Sequence, residues 1–68
     1  MEKAQALQAA ADMAEAMYGP ECDTWVQDEH FDGSFDVVID PGSLNETRVW
    51  RIDESGRAEL LSRYVEDE

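Results

Sequence analysis

From Ala4 to Thr47 the chain has no lysine and no arginine, although the same 44 residues hold ten carboxylates. These are Asp12, Glu15, Glu21, Asp23, Asp28, Glu29, Asp32, Asp36, Asp40 and Glu46. A surface of this sign repels nucleic acid and anionic membranes, so neither is an expected direct partner. Cys22 is the single cysteine, which excludes an internal disulfide and a structural zinc site built from several cysteines. No apolar run approaches the roughly 18 residues of a membrane span, and no charged-then-apolar signal opens the chain. A cytoplasmic location follows as the expectation. With one histidine, His30, and no nucleophile motif, phosphate loop or metal-ligand set, no enzyme activity is expected and no cofactor is implied. A domain of 68 residues also leaves little room for a pocket of several hundred Å³.

What is present points to a folded protein. Over the whole chain 17 acidic side chains face 5 basic ones, a formal charge of -12. Self-repulsion at that density destabilises a compact state, so a cationic partner or a screening environment should offset it. The apolar fraction is nonetheless 43%, with six aromatic residues, and disordered acidic tails lack both. A chain this short buries only about 60% of its unfolded surface, which predicts one small domain over residues 1–68 with modest stability.

Residues Glu2 to Tyr18 predict a helix, with Leu7, Ala10, Ala11, Ala14, Met17 and Tyr18 on one apolar stripe and Gln8, Asp12 and Glu15 opposite. Gly19-Pro20 stops it. The period then changes to two. Thr24–Glu29 predicts a strand, Asp32-Gly33 a hairpin turn, Ser34–Asp40 a second strand and Thr47–Asp53 a third. Pro41-Gly42 and Ser43 to Asn45 form the intervening loop. Glu54-Ser55-Gly56 fits a three-residue hairpin loop leading to a fourth strand, with Ile52 opposite Ala58, Arg51 opposite Glu59 and Trp50 opposite Leu60. Ala58, Leu61 and Val65 also sit at helical spacing, so a helix stays open there. Glu66-Asp67-Glu68 reads as a frayed acidic end. The fold class is α+β: an N-terminal helix on one face of a three- to four-stranded antiparallel meander, with Phe35 and Trp50 in the core.

Two constellations stand out. On the central strand Asp36 and Asp40 share the face away from the helix, about 13 Å apart at roughly 3.3 Å per residue. Together with Asp28, Glu29 and Asp32 they form a carboxylate array suited to a Lys/Arg-lined groove that otherwise holds DNA or RNA. Val38, Val49 and Leu61, with Trp25 or Val26, should gather on the same outer face, where Trp25 and Tyr64 are candidate anchors for a homodimer or target contact. Asp28, Asp32, Gly33, Ser34 and Asp36 match part of a calcium-loop pattern. However, His30 stands at its third position and Ile39 where a bidentate glutamate is required, so no metal is expected.

In length, in its cation-free stretch and in its single compact α+β domain the chain resembles the small acidic phage-type inhibitors that mimic DNA, among them anti-CRISPR and anti-restriction proteins. That resemblance covers the whole chain and rests on no motif. It implies a stoichiometric inhibitor, monomeric or homodimeric, that blocks the basic DNA-binding surface of a CRISPR effector or restriction protein in a bacterial cytoplasm. The four arginines from Arg48 onward depart from the DNA-like pattern. Two other readings stay open: a halophile-adapted acidic domain and an acidic protein–protein adaptor.

Overall fold

The computed structural model describes residues 2–42 and 46–64. One helix, α1 (Lys3–Tyr18), precedes four strands: β1 (Asp23–Glu29), β2 (Phe35–Asp40), β3 (Arg48–Ile52) and β4 (Ala58–Arg63). The strands form an antiparallel meander in the order β1-β2-β3-β4. The stretch from Ala58 is therefore a strand, with Ile52 opposite Ala58, Arg51 opposite Glu59 and Trp50 opposite Leu60. The loop at Ser43–Asn45, Val65 and the acidic end Glu66–Glu68 lie outside the described residues.

Both hairpin turns obey one rule. His30 N–H donates to the Ser34 carbonyl at 2.9 Å, and Asp53 N–H donates to that of Arg57 at 3.0 Å, so each pair encloses three loop residues. The third loop residue is a glycine at positive φ, +89° for Gly33 and +91° for Gly56, where a side chain would be strained. An aspartate braces each turn: Asp32 Oδ1 accepts from the Ser34 backbone N–H and hydroxyl, and Asp53 Oδ1 from those of Ser55.

The helix packs on β1 and β2, touches β3, and makes no contact with β4 among the described residues. Beneath it Ala6 and Ala10 meet Phe35, Val37 and Ile52, with Ala9, Val26 and Trp50 at the margin. The buried helical residues are Ala6, Ala10 and Ala14, one stripe at i, i+4, i+8. This corrects the sequence expectation: Leu7 is only half-buried and Met17 is 42% exposed. The physical reason is distance. An alanine face lets the helix backbone settle close to the sheet, whereas Leu7 and Met17 on the contact line would hold it off. The molecule is accordingly thin, 17 Å along its shortest axis.

Strand β2 is buried from Phe35 through Ile39, on both faces of the sheet. On the face away from the helix, Val38 lies between Trp25 and Val49 in the strand register. The Trp25 and Tyr64 rings meet edge-on at 5.9 Å and 88° on that face, where Val38 and Val49 are buried. Of Trp25 and Val26, Trp25 takes the outer face and Val26 packs on the helix side. One further expectation changes. Leu61 does not oppose Val49, because the β4 register shifts there and Ser62 takes its place. A second shift leaves Gln27 unpaired in β1. Both edge strands thus carry a bulge, a common way to discourage edge-to-edge association.

The core should be sensitive where it is deepest. Ile52 is 1% exposed, and Ile52→Ala should cost about 2–5 kcal/mol in a urea titration. Leu61→Ala, at an exposed bulge, should change stability by less than about 0.5 kcal/mol. Trp50 Nε1 is buried without a hydrogen-bond partner among the described residues. Trp50→Phe removes that orphaned donor and should therefore cost far less than Ile52→Ala. A Trp50→Phe protein as unstable as Ile52→Ala would show that the indole has a partner.

Candidate functional site

Across the outer face runs one charged row. Asp28 opposes Asp36, Asp36 opposes Arg51, and Arg51 opposes Glu59. Three carboxylates thus share one guanidinium, and like charges directly opposite one another are unfavourable. Arg51 resolves the inner part of the row. Its Nε donates to Asp36 Oδ1 at 2.9 Å and its Nη2 to Oδ2 at 3.4 Å, a forked pairing. His30 Nε2 lies 3.0 Å from the same Oδ2, and Arg51 Nη2 approaches it at 3.4 Å. His30 Nε2 thus faces the Asp36 carboxylate on one side and the Arg51 guanidinium on the other.

Asp36 is only 7% exposed. Burial would raise its pKa, but hydrogen bonds from Arg51 and His30 and their charge outweigh it, leaving the carboxyl below its ordinary value of 3.8. The hydrogen bond and charge of Asp36 raise the Arg51 pKa in return. Asp32 is also lowered, first by the Ser34 hydroxyl and then by the Ser34 backbone N–H. Asp53 is lowered by the Ser55 hydroxyl and by the Arg57 N–H.

The five carboxylates singled out in the sequence therefore separate. Asp28, Glu29 and Asp32 are exposed on the β1–β2 hairpin near its turn. Asp36 is folded into the outer face. Asp40 sits at the other end of β2, half-buried, with Oδ1 accepting from Gly42 N–H at 2.9 Å and from the Thr47 hydroxyl at 3.3 Å. Among the cations, Lys3 lies 3.9 Å from Glu29 with both groups largely exposed, a weak pairing. Arg48 and Arg63 both turn to Glu46, at 3.9 and 3.2 Å.

One residue escaped the sequence reading. Phe31, first in the β1–β2 loop, is the most exposed large apolar side chain described, at 114% of its reference area. The signal was an aromatic residue inside a turn, flanked by His30 and Asp32, where it can join neither strand's alternation. Among the described residues no helix is long and apolar enough to cross a membrane, and no group of three or more His, Cys, Asp or Glu is placed to hold a metal ion. Cys22 is half-buried, its thiol 3.5 Å from the Gly19 carbonyl oxygen.

The lowered carboxyls set the direction of pH dependence. A group whose folded pKa lies below its unfolded value stabilises fully above the unfolded value, and that contribution disappears as pH falls through the folded one. Stability should hold above about pH 4 and decline below it as Asp32, Asp36 and Asp53 protonate. Asp36→Asn should lose about 1–3 kcal/mol at pH 7 and show a shallower acid limb in pH-resolved denaturation. An unchanged acid limb would mean that the Asp36–Arg51–His30 cluster is not what acid breaks. No family model, curated protein or solved structure matches this chain, so its function must be read from its own residues.

Proposed function

We propose that the protein is a stoichiometric binding protein, not a catalyst, that sets its β1–β2 hairpin against the basic nucleic-acid-binding surface of another protein. The observation that carries this reading is the hairpin end itself. Asp28, Glu29 and Asp32 are exposed around a fully exposed Phe31, while the Arg51 guanidinium is engaged by Asp36. Carboxylates on a rigid two-stranded tip offer a lysine- and arginine-lined groove the charge neutralisation it otherwise gains from phosphates. Phe31 adds an aromatic anchor that phosphates do not provide. In the form the resemblance suggests, the target is a CRISPR effector or restriction protein and the outcome is inhibition.

On this reading the five carboxylates have different roles. Asp28, Glu29 and Asp32 make the contact, Asp36 holds Arg51 out of the way, and Asp40 belongs to the far end of the sheet. The helix face of Gln8, Asp12 and Glu15 is exposed and plays a supporting part.

The test is competition with duplex DNA for a basic DNA-binding complex. The Asp28→Asn, Glu29→Gln, Asp32→Asn variant should stay folded and lose binding, whereas Asp12→Asn with Glu15→Gln should keep most of it. Phe31→Ser should also stay folded and weaken binding at least tenfold, the scale of an interface anchor. Affinity should fall steeply with added salt, since exposed charges are screened over about 8–10 Å at 0.1–0.15 M. Salt-independent affinity, or loss through the helix variant instead, would overturn the assignment. Unfolding of the free protein on removal of salt would show that the charge serves a saline habitat instead.

A further inference from the structure

We propose that the protein associates with a second copy of itself through β4, the edge of the sheet opposite β1, in a two-fold contact centred on Leu61. Helix α1 makes no contact with β4 among the described residues. All six residues of β4 are exposed, although two of them are leucines, Leu60 at 43% and Leu61 at 38%. Leu60 stands opposite Trp50, which borders the helix-side core, so it extends that apolar face past the reach of the helix. Leu61, the bulge residue, has no partner in the β3 register. Two adjacent leucines on an uncovered edge forgo burial that a domain of this size needs.

Charge selects the occupant. Residues 2–42 hold one cation, Lys3, against ten carboxylates, a net of -9. Residues 48–63 hold four arginines against Asp53, Glu54 and Glu59, a net of +1. A lysine- and arginine-lined partner is drawn to β1 and gains nothing at β4, whereas a second chain of charge -12 meets the least repulsion there. The charges of β4 are also self-complementary. Arg51 gives its hydrogen bonds to Asp36 and His30, which leaves Glu59 opposite it without a hydrogen-bond partner among the described residues. Two antiparallel β4 strands centred on Leu61 bring Glu59 of each copy level with Arg63 of the other, since both positions lie two residues from the centre. Arg63 gives only its Nη1 to Glu46 among the described residues and keeps donors for a second carboxylate. Centring the contact on Leu60 would instead set Arg57 of one copy level with Arg63 of the other, so the charges reject that register. The bulge at Leu61 interrupts the row of edge N–H and C=O groups, and the copies therefore meet by side chains and not by a continued ladder. β1 and its hairpin end lie at the other edge of the sheet, so this contact and the proposed partner contact stand independently.

The experiment is analytical ultracentrifugation of the full chain across a concentration series. A reversible dimer should form and should tighten from low to physiological salt, because salt screens the repulsion between two chains of charge -12. Binding of a basic partner at β1 should move the other way, so the sign of the salt dependence distinguishes the two contacts. Leu60→Ser with Leu61→Ser, both at exposed positions, should leave the fold intact and weaken the dimer at least about tenfold. Glu59→Arg alone and Arg63→Glu alone should each be monomeric, since each sets like charges level across the axis. Mixed in equal amounts, those two variants should form a heterodimer in which every arginine meets a glutamate, an outcome that unfolded variants could not produce. A chain that stays monomeric throughout the series would overturn the proposal, as would a dimer indifferent to the leucine and charge variants. A mixture that stays monomeric would overturn the register centred on Leu61, and growth into open polymers would overturn the two-fold contact.

Discussion

Burial of one strand on both faces is the constraint on which this small fold depends. β2 has the alanine-lined helix on one side and the Trp25–Tyr64 contact with the Asp36–Arg51 pair on the other. A chain of 68 residues cannot enclose a thick core. It can, however, sandwich one strand, with α1 on one side and residues of β1 and β3 and Tyr64, just past β4, on the other. The helix supplies closeness more than bulk: Ala6, Ala10 and Ala14 add little apolar area, but they allow Phe35, Val37 and Ile52 to be sealed by backbone. The outer face uses the reverse strategy, two large rings reaching over small valines.

That asymmetry explains what the sequence revealed and what it hid. Strand periods, both glycine-closed turns and the β3–β4 register were legible because each depends on neighbours a few residues apart. The phase of the helix was not. Alanines at 4, 6, 9, 10, 11, 14 and 16 offer several overlapping stripes, and side-chain size, the usual guide, pointed to Leu7 and Met17. Here closeness of approach overrode hydrophobic bulk. The Trp25–Tyr64 contact joins residues 39 positions apart across a four-stranded sheet, and no local pattern announces it. The two edge bulges, at Gln27 and Leu61, shift the alternation on which any outward-face prediction relies.

The candidate site was legible in composition and not in detail. Ten acids without a cation suggest an array, but their roles depend on which of them find a donor. Arg51 was expected opposite Glu59, and it is; its hydrogen bonds nevertheless run to Asp36 on the other side. The choice is physical. Asp36 lies against the core and cannot be solvated, so leaving it unpaired would cost more than leaving the exposed Glu59 to water. A cation is thereby drawn inward, while at the hairpin end Glu29 meets only the largely exposed Lys3 at 3.9 Å among the described residues and Asp28, Phe31 and Asp32 stay exposed.

The distribution of like charges completes the picture. In the β1–β2 register Asp28 stands directly opposite Asp36, and Asp23 opposite Asp40. Each such pair weakens the hairpin relative to neutral polar residues. Asp36 and Asp40 have internal duties, Asp36 bonding Arg51 and Asp40 bonding Gly42 and Thr47, but Asp23 and Asp28 are exposed and add only repulsion within the isolated chain. A cationic surface brought against β1 would turn both from a strain on the hairpin into a source of affinity. The strand whose charges do least for the fold is also the one whose end carries Phe31, and the proposed contact rests on that coincidence.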